Sequence, residues 1–264
     1  MKGKRRWLKQ IAQLGFLSLM GASMSAFGFL GFGDSVTWKE EVLLHDGQKI
    51  IATRSQSYGG AREIGQLPSI KEQDITFTVP GSSQTLTWKN EYGKEVGGAN
   101  FILRALHVLK GAPYIVAIPN SCRAYDKWGR PNPPYVIFRH DGKDWQRIPF
   151  SELPIEFKET NLSWVTKAKD EQLTTQSLVT AELVKKLNSR LETPANKTIL
   201  REPLKRGADG GVVNCEEMIP AEDGGGVGIT LFAMKPTYEA CLKACAIWKI
   251  SQQNCPCNRL FGKK

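Results

Sequence analysis

The residues of this chain whose chemistry could carry a reaction are six cysteines, three histidines, two glycine runs and seven tryptophans. Their spacing decides between catalysis, metal binding and structure. Cys241 and Cys245 lie four residues apart in a stretch that reads as helix over 236–253, so both thiols share one face with Tyr238 and Trp248. Cys255-Pro256-Cys257 follows and brings two more thiols within reach. Four thiolates could hold zinc tetrahedrally, but no histidine flanks them. An even cysteine count in an exported chain reads instead as disulfides. Nested pairing, Cys245 with Cys255 and Cys241 with Cys257, would fold the tail back along the helix. Cys122 with Cys215 would then tie a β region to the C-terminal part. Six cysteines allow about 15 pairings, so spacing alone leaves the connectivity open. The single residue inside Cys255-Pro256-Cys257 departs from the two-residue spacing of redox-active pairs.

The remaining motifs exclude more than they assign. His45, His107 and His140 form no His-x-His or His-Glu-x-x-His pattern, so a metallohydrolase lacks its ligands. No Gly-x-Ser-x-Gly elbow is present. Gly224-Gly225-Gly226-Val227-Gly228 lacks the lysine and hydroxyl residue of a phosphate loop. Asp209, Glu216, Glu217, Glu222 and Asp223 lack the alternating spacing of a calcium loop. No cofactor and no metal is therefore expected, and the chain reads as non-enzymatic. His45 and His140 adjoin hairpin turns and are expected in solvent, while His107 sits in an apolar run and is expected in the core. Trp128, among Tyr125, Lys127, Gly129 and Arg130, is the tryptophan expected at the surface, where an indole could stack on carbohydrate. The other tryptophans are expected in the core, Trp145 packing across its own hairpin.

Where this chemistry would operate follows from residues 1–33. Lys2, Lys4, Arg5, Arg6 and Lys9 precede an uncharged run of 22 residues, Ile11 to Phe32. That is the layout of a signal peptide or a membrane anchor. Ser23-Met24-Ser25 satisfies the small-residue rule for cleavage before Ala26. The expected location is beyond a bacterial-type inner membrane, whether periplasmic, membrane-anchored or secreted. The segment holds five of the 36 basic residues and no acid, so without it the net charge falls from +10 to +5. Lys185, Lys186, Arg190, Lys197, Arg201, Lys205 and Arg206, against Glu192 and Glu202, supply that whole remainder. This arm is a candidate contact for anionic lipid, nucleic acid or cell-wall polymer. Nucleic acid is the least expected partner, because a targeting segment and one short arm account for the high pI.

The elements that must position these groups fall into two stretches. Residues 34–165 form short apolar runs with Gly and Pro punctuation, which predicts a sandwich or a partly open barrel. His45-Asp46-Gly47 and His140-Asp141-Gly142 each separate two apolar runs, as hairpin turns do. Thr76 and Thr78 alternate with Ile75, Phe77 and Val79, the period of a sheet with one wet face. Residues 166–264 turn α-containing and disulfide-stapled. Leu183, Leu187 and Leu191 predict one amphipathic helix of five or six turns, stopped at Thr193-Pro194. Val227 to Met234 reads as a strand. The expected protein is α+β, a binding or scaffolding module of a cell envelope whose partner is an envelope protein or polymer. A hydrolase with a site hidden from sequence, or a contact to an anionic polymer or nucleic acid through Lys185–Arg206, is the alternative.

Overall fold

Alternation of polar and apolar side chains sets the first sheet of the computed structural model, which describes residues 35–59, 69–165, 175–207, 209–222 and 225–263. Strands β1 (Ser35–Leu43), β2 (Lys49–Tyr58), β3 (Ile70–Thr78) and β4 (Thr85–Asn90) form an antiparallel meander. Trp38, Val42, Ala52, Ile75, Phe77 and Trp88 point inward and are buried. The opposite face carries the hydroxyls, with Thr76 bonded to Thr87 and Thr78 to Thr85 across the β3–β4 pair. The His45-Asp46-Gly47 hairpin forms as expected, with Gly47 at φ 86°, a value that favours glycine.

Two short strands, β5 (Tyr92–Gly93) and β6 (Gly98–Ala99), lead into the second sheet. It runs through β7 (Phe101–Leu109), β8 (Ala112–Pro119), β9 (Val136–His140) and β10 (Trp145–Ile148), again as an antiparallel meander. Helix α1 (Cys122–Lys127) interrupts it between β8 and β9. The segment 101–110, which the sequence leaves open between strand and helix, is thus a strand. Its residues and those of β8 are buried almost without a break. Near-continuous apolar runs are what a strand covered on both faces requires. One face of the second sheet meets the first sheet around Phe101, Leu103, Ile115 and Val136. The other is covered by Leu153, Phe157, Ala195 and Ile199. The architecture is a β-sandwich: two separate sheets close over a shared core.

In the second sheet register slips at Arg104, where Leu103 faces Ala117 and Ala105 already faces Val116. This bulge places a guanidinium inside the protein. Arg104 is fully buried, and burial, with the Arg54 charge beside it, pushes it down to about 10. Arg54 is buried too and pairs with buried Glu40 at 3.3 Å.

The covering segments form the rest of the chain. Helix α2 (Ala181–Ser189) is nine residues long, far shorter than its leucine spacing predicts. Val179 is the reason: it lies in extended backbone alongside β1, accepting from Glu41 N–H and donating to Lys39 carbonyl. Thr180 then caps the helix through Leu183 N–H. A short helix α3 (Pro194–Lys197) follows. The C-terminal part pairs β11 (Met218–Pro220) with β12 (Gly226–Gly228) and packs α4 (Ile229–Ala233), α5 (Tyr238–Ile247) and α6 (Cys257–Leu260) around Phe232. The expected strand from Val227 to Met234 is therefore helical beyond Gly228. Glu216 draws it into a helix by accepting from Thr230 N–H at the first turn, and periodicity cannot separate helix from strand over so short an apolar run.

All six cysteines are paired, Cys122 with Cys215, Cys241 with Cys257 and Cys245 with Cys255. Among the described residues no helix is long and apolar enough to cross a membrane. The signal or anchor expected at 1–33 lies outside those residues.

Candidate functional site

A cleft of about 450 Å³ opens where the β4 edge of one sheet meets β10 of the other. Aromatic rings make its floor. Trp88 and Phe101 are buried, and Phe138 packs against both at 5.4 and 5.3 Å between centroids. Trp128 leans on Phe101 at 4.6 Å, and its Nε1–H donates to Asn100 Oδ1 at 3.2 Å. Trp145 closes the side, its Nε1–H donating to the Thr87 carbonyl at 3.0 Å. Polar groups make the rim. The Arg147 guanidinium stands 5.2 Å from the Trp128 ring centre. Lys127 pairs with Glu95 and holds its carboxyl below the ordinary range. Glu95 is therefore an acceptor at neutral pH, not a proton donor.

The Cys122–Cys215 disulfide positions this cleft. Ser121 caps α1 by accepting from Ala124 N–H, and Trp128 ends the helix. Asp126 accepts from Met218 N–H at 2.6 Å, and Arg130 donates to the Cys215 carbonyl while covering the Tyr125 ring. The helix is thus riveted to residues 215–218 by one covalent and three polar links, Arg130 donating to the Glu216 carbonyl as well. Asn90 holds the other wall, donating to the Phe101 carbonyl and accepting from Asn100 N–H.

Trp128 is half-buried, a correction to the surface position expected for it. Phe101 and Phe138 supply apolar area that draws one side of the indole inward. Trp248 departs in the opposite sense: expected in the core, it is 47% exposed because the residues of α5 that turn inward are Cys241, Ala244 and Cys245. Tyr92, Glu95, Asn100 and Arg147 escape sequence reasoning, since they converge only through the pairing of β5 with β6 and the packing of two sheets.

The basic arm is distributed over two helices and the loop that follows them. Lys185 and Lys186 are exposed on α2, Arg190 ends it, and Lys197 ends α3, while Lys205 and Arg206 lie exposed in the following loop. Arg201 turns inward and donates to the carbonyls of Leu153, Pro154 and Phe157. It is a cross-link between two loops.

A second cavity, of about 390 Å³, lies over His45 and His107. His107 is buried as expected, stacked on Phe157 at 4.6 Å, with Nε2 3.2 Å from the Glu159 carbonyl. His45 and His140 differ from expectation. His45 packs on Phe157, and His140 is buried against Trp145, with Nδ1 accepting from Gly142 N–H. Burial pushes His107 down from 6.5 to about 4, against the weaker effect of the Glu159 carbonyl. The unfolded chain therefore binds the proton more readily than the folded one. This contribution to stability is complete above pH 6.5 and is lost as pH falls toward about 4, at up to about 1.4 kcal/mol per pH unit. Urea unfolding of the wild type and of His107→Gln between pH 7 and 4.5 isolates the effect as the difference between two profiles. Parallel profiles would show that the imidazole is not dehydrated.

No protein-family model matches the chain, and neither a curated protein nor a solved structure matches it.

Proposed function

We propose that the chain is a non-enzymatic binding module of an exported or membrane-anchored cell-envelope protein, taking a glycan of that envelope in the Trp128 cleft. The observation that carries the reading is one cleft holding indole surface beside amide, carboxylate and ammonium groups, with the Arg147 guanidinium set against the Trp128 ring. A sugar ring presents C–H bonds on its faces and hydroxyls at its edge. Aromatic surface suits the former and a rim of mixed donors and acceptors suits the latter. Support for an exported setting comes from three disulfides, which persist in oxidising compartments. A thiol nucleophile is ruled against, because every described cysteine is already paired.

The test is titration with soluble amino-sugar oligosaccharides and co-sedimentation with insoluble cell-wall glycan. Trp128→Ala is expected to weaken binding about 10-fold, or about 1.4 kcal/mol. Tyr92→Ala, at a side chain 43% exposed and outside the core, should weaken it without loss of stability. Trp248→Ala, on the tail, should leave it unchanged. Retention of wild-type affinity by the first two variants would end the glycan reading. Loss of all co-sedimentation at about 0.5 M salt would favour the basic residues of Lys185–Arg206 instead, since contacts with a polyanion depend steeply on salt.

A further inference from the structure

The four tail cysteines sit closer together than two independent disulfides require. The Sγ atoms of Cys241, Cys245 and Cys257 lie within 4.8 Å of one another. Cys245 Sγ is 3.7 Å from Cys257 Sγ, although these two are not bonded. Cys255 Sγ is 3.4 Å from Cys257 Sγ, again without a bond. The two disulfides therefore touch, and four sulfurs occupy one small volume. Zinc bound by four thiolates at about 2.3 Å in a tetrahedron sets sulfurs about 3.8 Å apart. The two non-bonded contacts already stand near that spacing. The two bonded pairs would have to open, each by about 2 Å, and Cys255 Sγ, which lies outside the cluster of the other three, would have to move toward Cys241 Sγ.

We propose that the reduced tail is a zinc site, with Cys241, Cys245, Cys255 and Cys257 as its four ligands. In an oxidising compartment the tail is closed by two disulfides, and in a reducing one a single soft divalent ion closes it. Burial favours a closed, structural site, for Cys241, Cys245 and Cys257 are each under 5% exposed. Helix α5 presents Cys241 and Cys245 one turn apart, and the Cys255-Pro256-Cys257 turn faces them. Charge suits the ion's complement. A zinc tetrathiolate carries two negative charges, and from Lys235 onward the chain has six basic residues against one acid, Glu239. The tail also needs a staple of some kind. Its fully buried core holds Ile219, Phe232, Ala244 and Ile250 besides the cysteines, with Leu231, Phe261 and other partly buried residues packed on it, a small core for a unit without a staple.

Each disulfide takes two electrons from a trialkylphosphine, which with one water becomes the phosphine oxide and leaves two thiols. Zinc then displaces the thiol protons on binding, so its affinity rises with pH.

The experiment uses the full chain, reduced with a phosphine and freed of metal. Cobalt(II) is the spectroscopic probe, and zinc is then added to displace it. One cobalt per chain with thiolate charge transfer and tetrahedral ligand-field bands is expected, lost stoichiometrically to zinc. Zinc should slow alkylation of the four tail thiols at least 10-fold while Cys122 and Cys215 react freely, as peptide mapping would show. Cys122→Ser/Cys215→Ser should keep the cobalt spectrum, which separates the site from the sandwich staple. An octahedral, water-like cobalt spectrum would overturn the proposal. So would equal alkylation of all six thiols with and without zinc. Neither result depends on whether the Trp128 cleft binds a glycan.

Discussion

Replacing Glu40 with alanine is expected to destabilise the fold by about 3–5 kcal/mol, because it strands a charge inside the sandwich. Glu40 is fully buried and collects four donors: Trp38 Nε1–H at 2.9 Å, Arg54 at 3.3 Å, and the Ser163 N–H and O–H at 2.7 and 2.5 Å. Arg54 is 2% exposed and lies over the Trp38 ring at 4.8 Å. Burial already lowers its pKa, and the Glu40 charge is the main opposing influence. Its Nε has no acceptor among the described residues. Without Glu40 the guanidinium keeps only the carbonyl and hydroxyl of Ser163. Arg54→Met is expected to cost distinctly less, since it leaves Glu40 with three hydrogen-bond donors and fills the space with an apolar chain. Urea unfolding of the two single variants and the double variant measures this asymmetry. Equal costs would show that the pair, and not the stranded charge, sets the penalty.

Removing the Cys122–Cys215 disulfide as a pair of serines is expected to cost about 4 kcal/mol, the entropy of closing a loop with a sequence separation of 93 residues. The effect should be local as well as global. With the staple cut, Asp126 and Arg130 alone hold α1 against residues 215–218. Trp128 should then move more freely and the cleft should lose glycan affinity. Denaturant unfolding without reductant measures the first effect, and glycan titration far below the unfolding midpoint measures the second. Removal of Cys245 and Cys255, whose separation is only 10 residues and whose place is on the tail, should leave the cleft intact. A stability loss under about 1 kcal/mol for the Cys122 and Cys215 pair would mean that its sequence separation does not govern its contribution.

Sequence alone determined what depends on neighbours along the chain. Alternation at Ile75–Val79 was sufficient for a strand with one covered face, while the double covering of β8 appeared only in the structure. The Asp-Gly turns announced the β1–β2 and β9–β10 hairpins, since few residue pairs accept such backbone angles. Cysteine spacing on the α5 stretch suggested a nested pairing, and the tertiary structure chose it from among the alternatives. Tertiary structure decided what depends on distant segments. The leucine spacing at 183–191 could not reveal that Val179 is held along β1, which shortens α2. Nothing in a local window marked Glu40, Arg54 and Arg104 as buried, because their partners, apart from Trp38 beside Glu40, lie from 14 to 123 residues away. The cleft belongs to this second class. Tyr92, Asn100, Trp128 and Arg147 meet only when two sheets close and a disulfide brings α1 to their edge, for a binding surface is a property of packing and periodicity reports only the face that a residue takes.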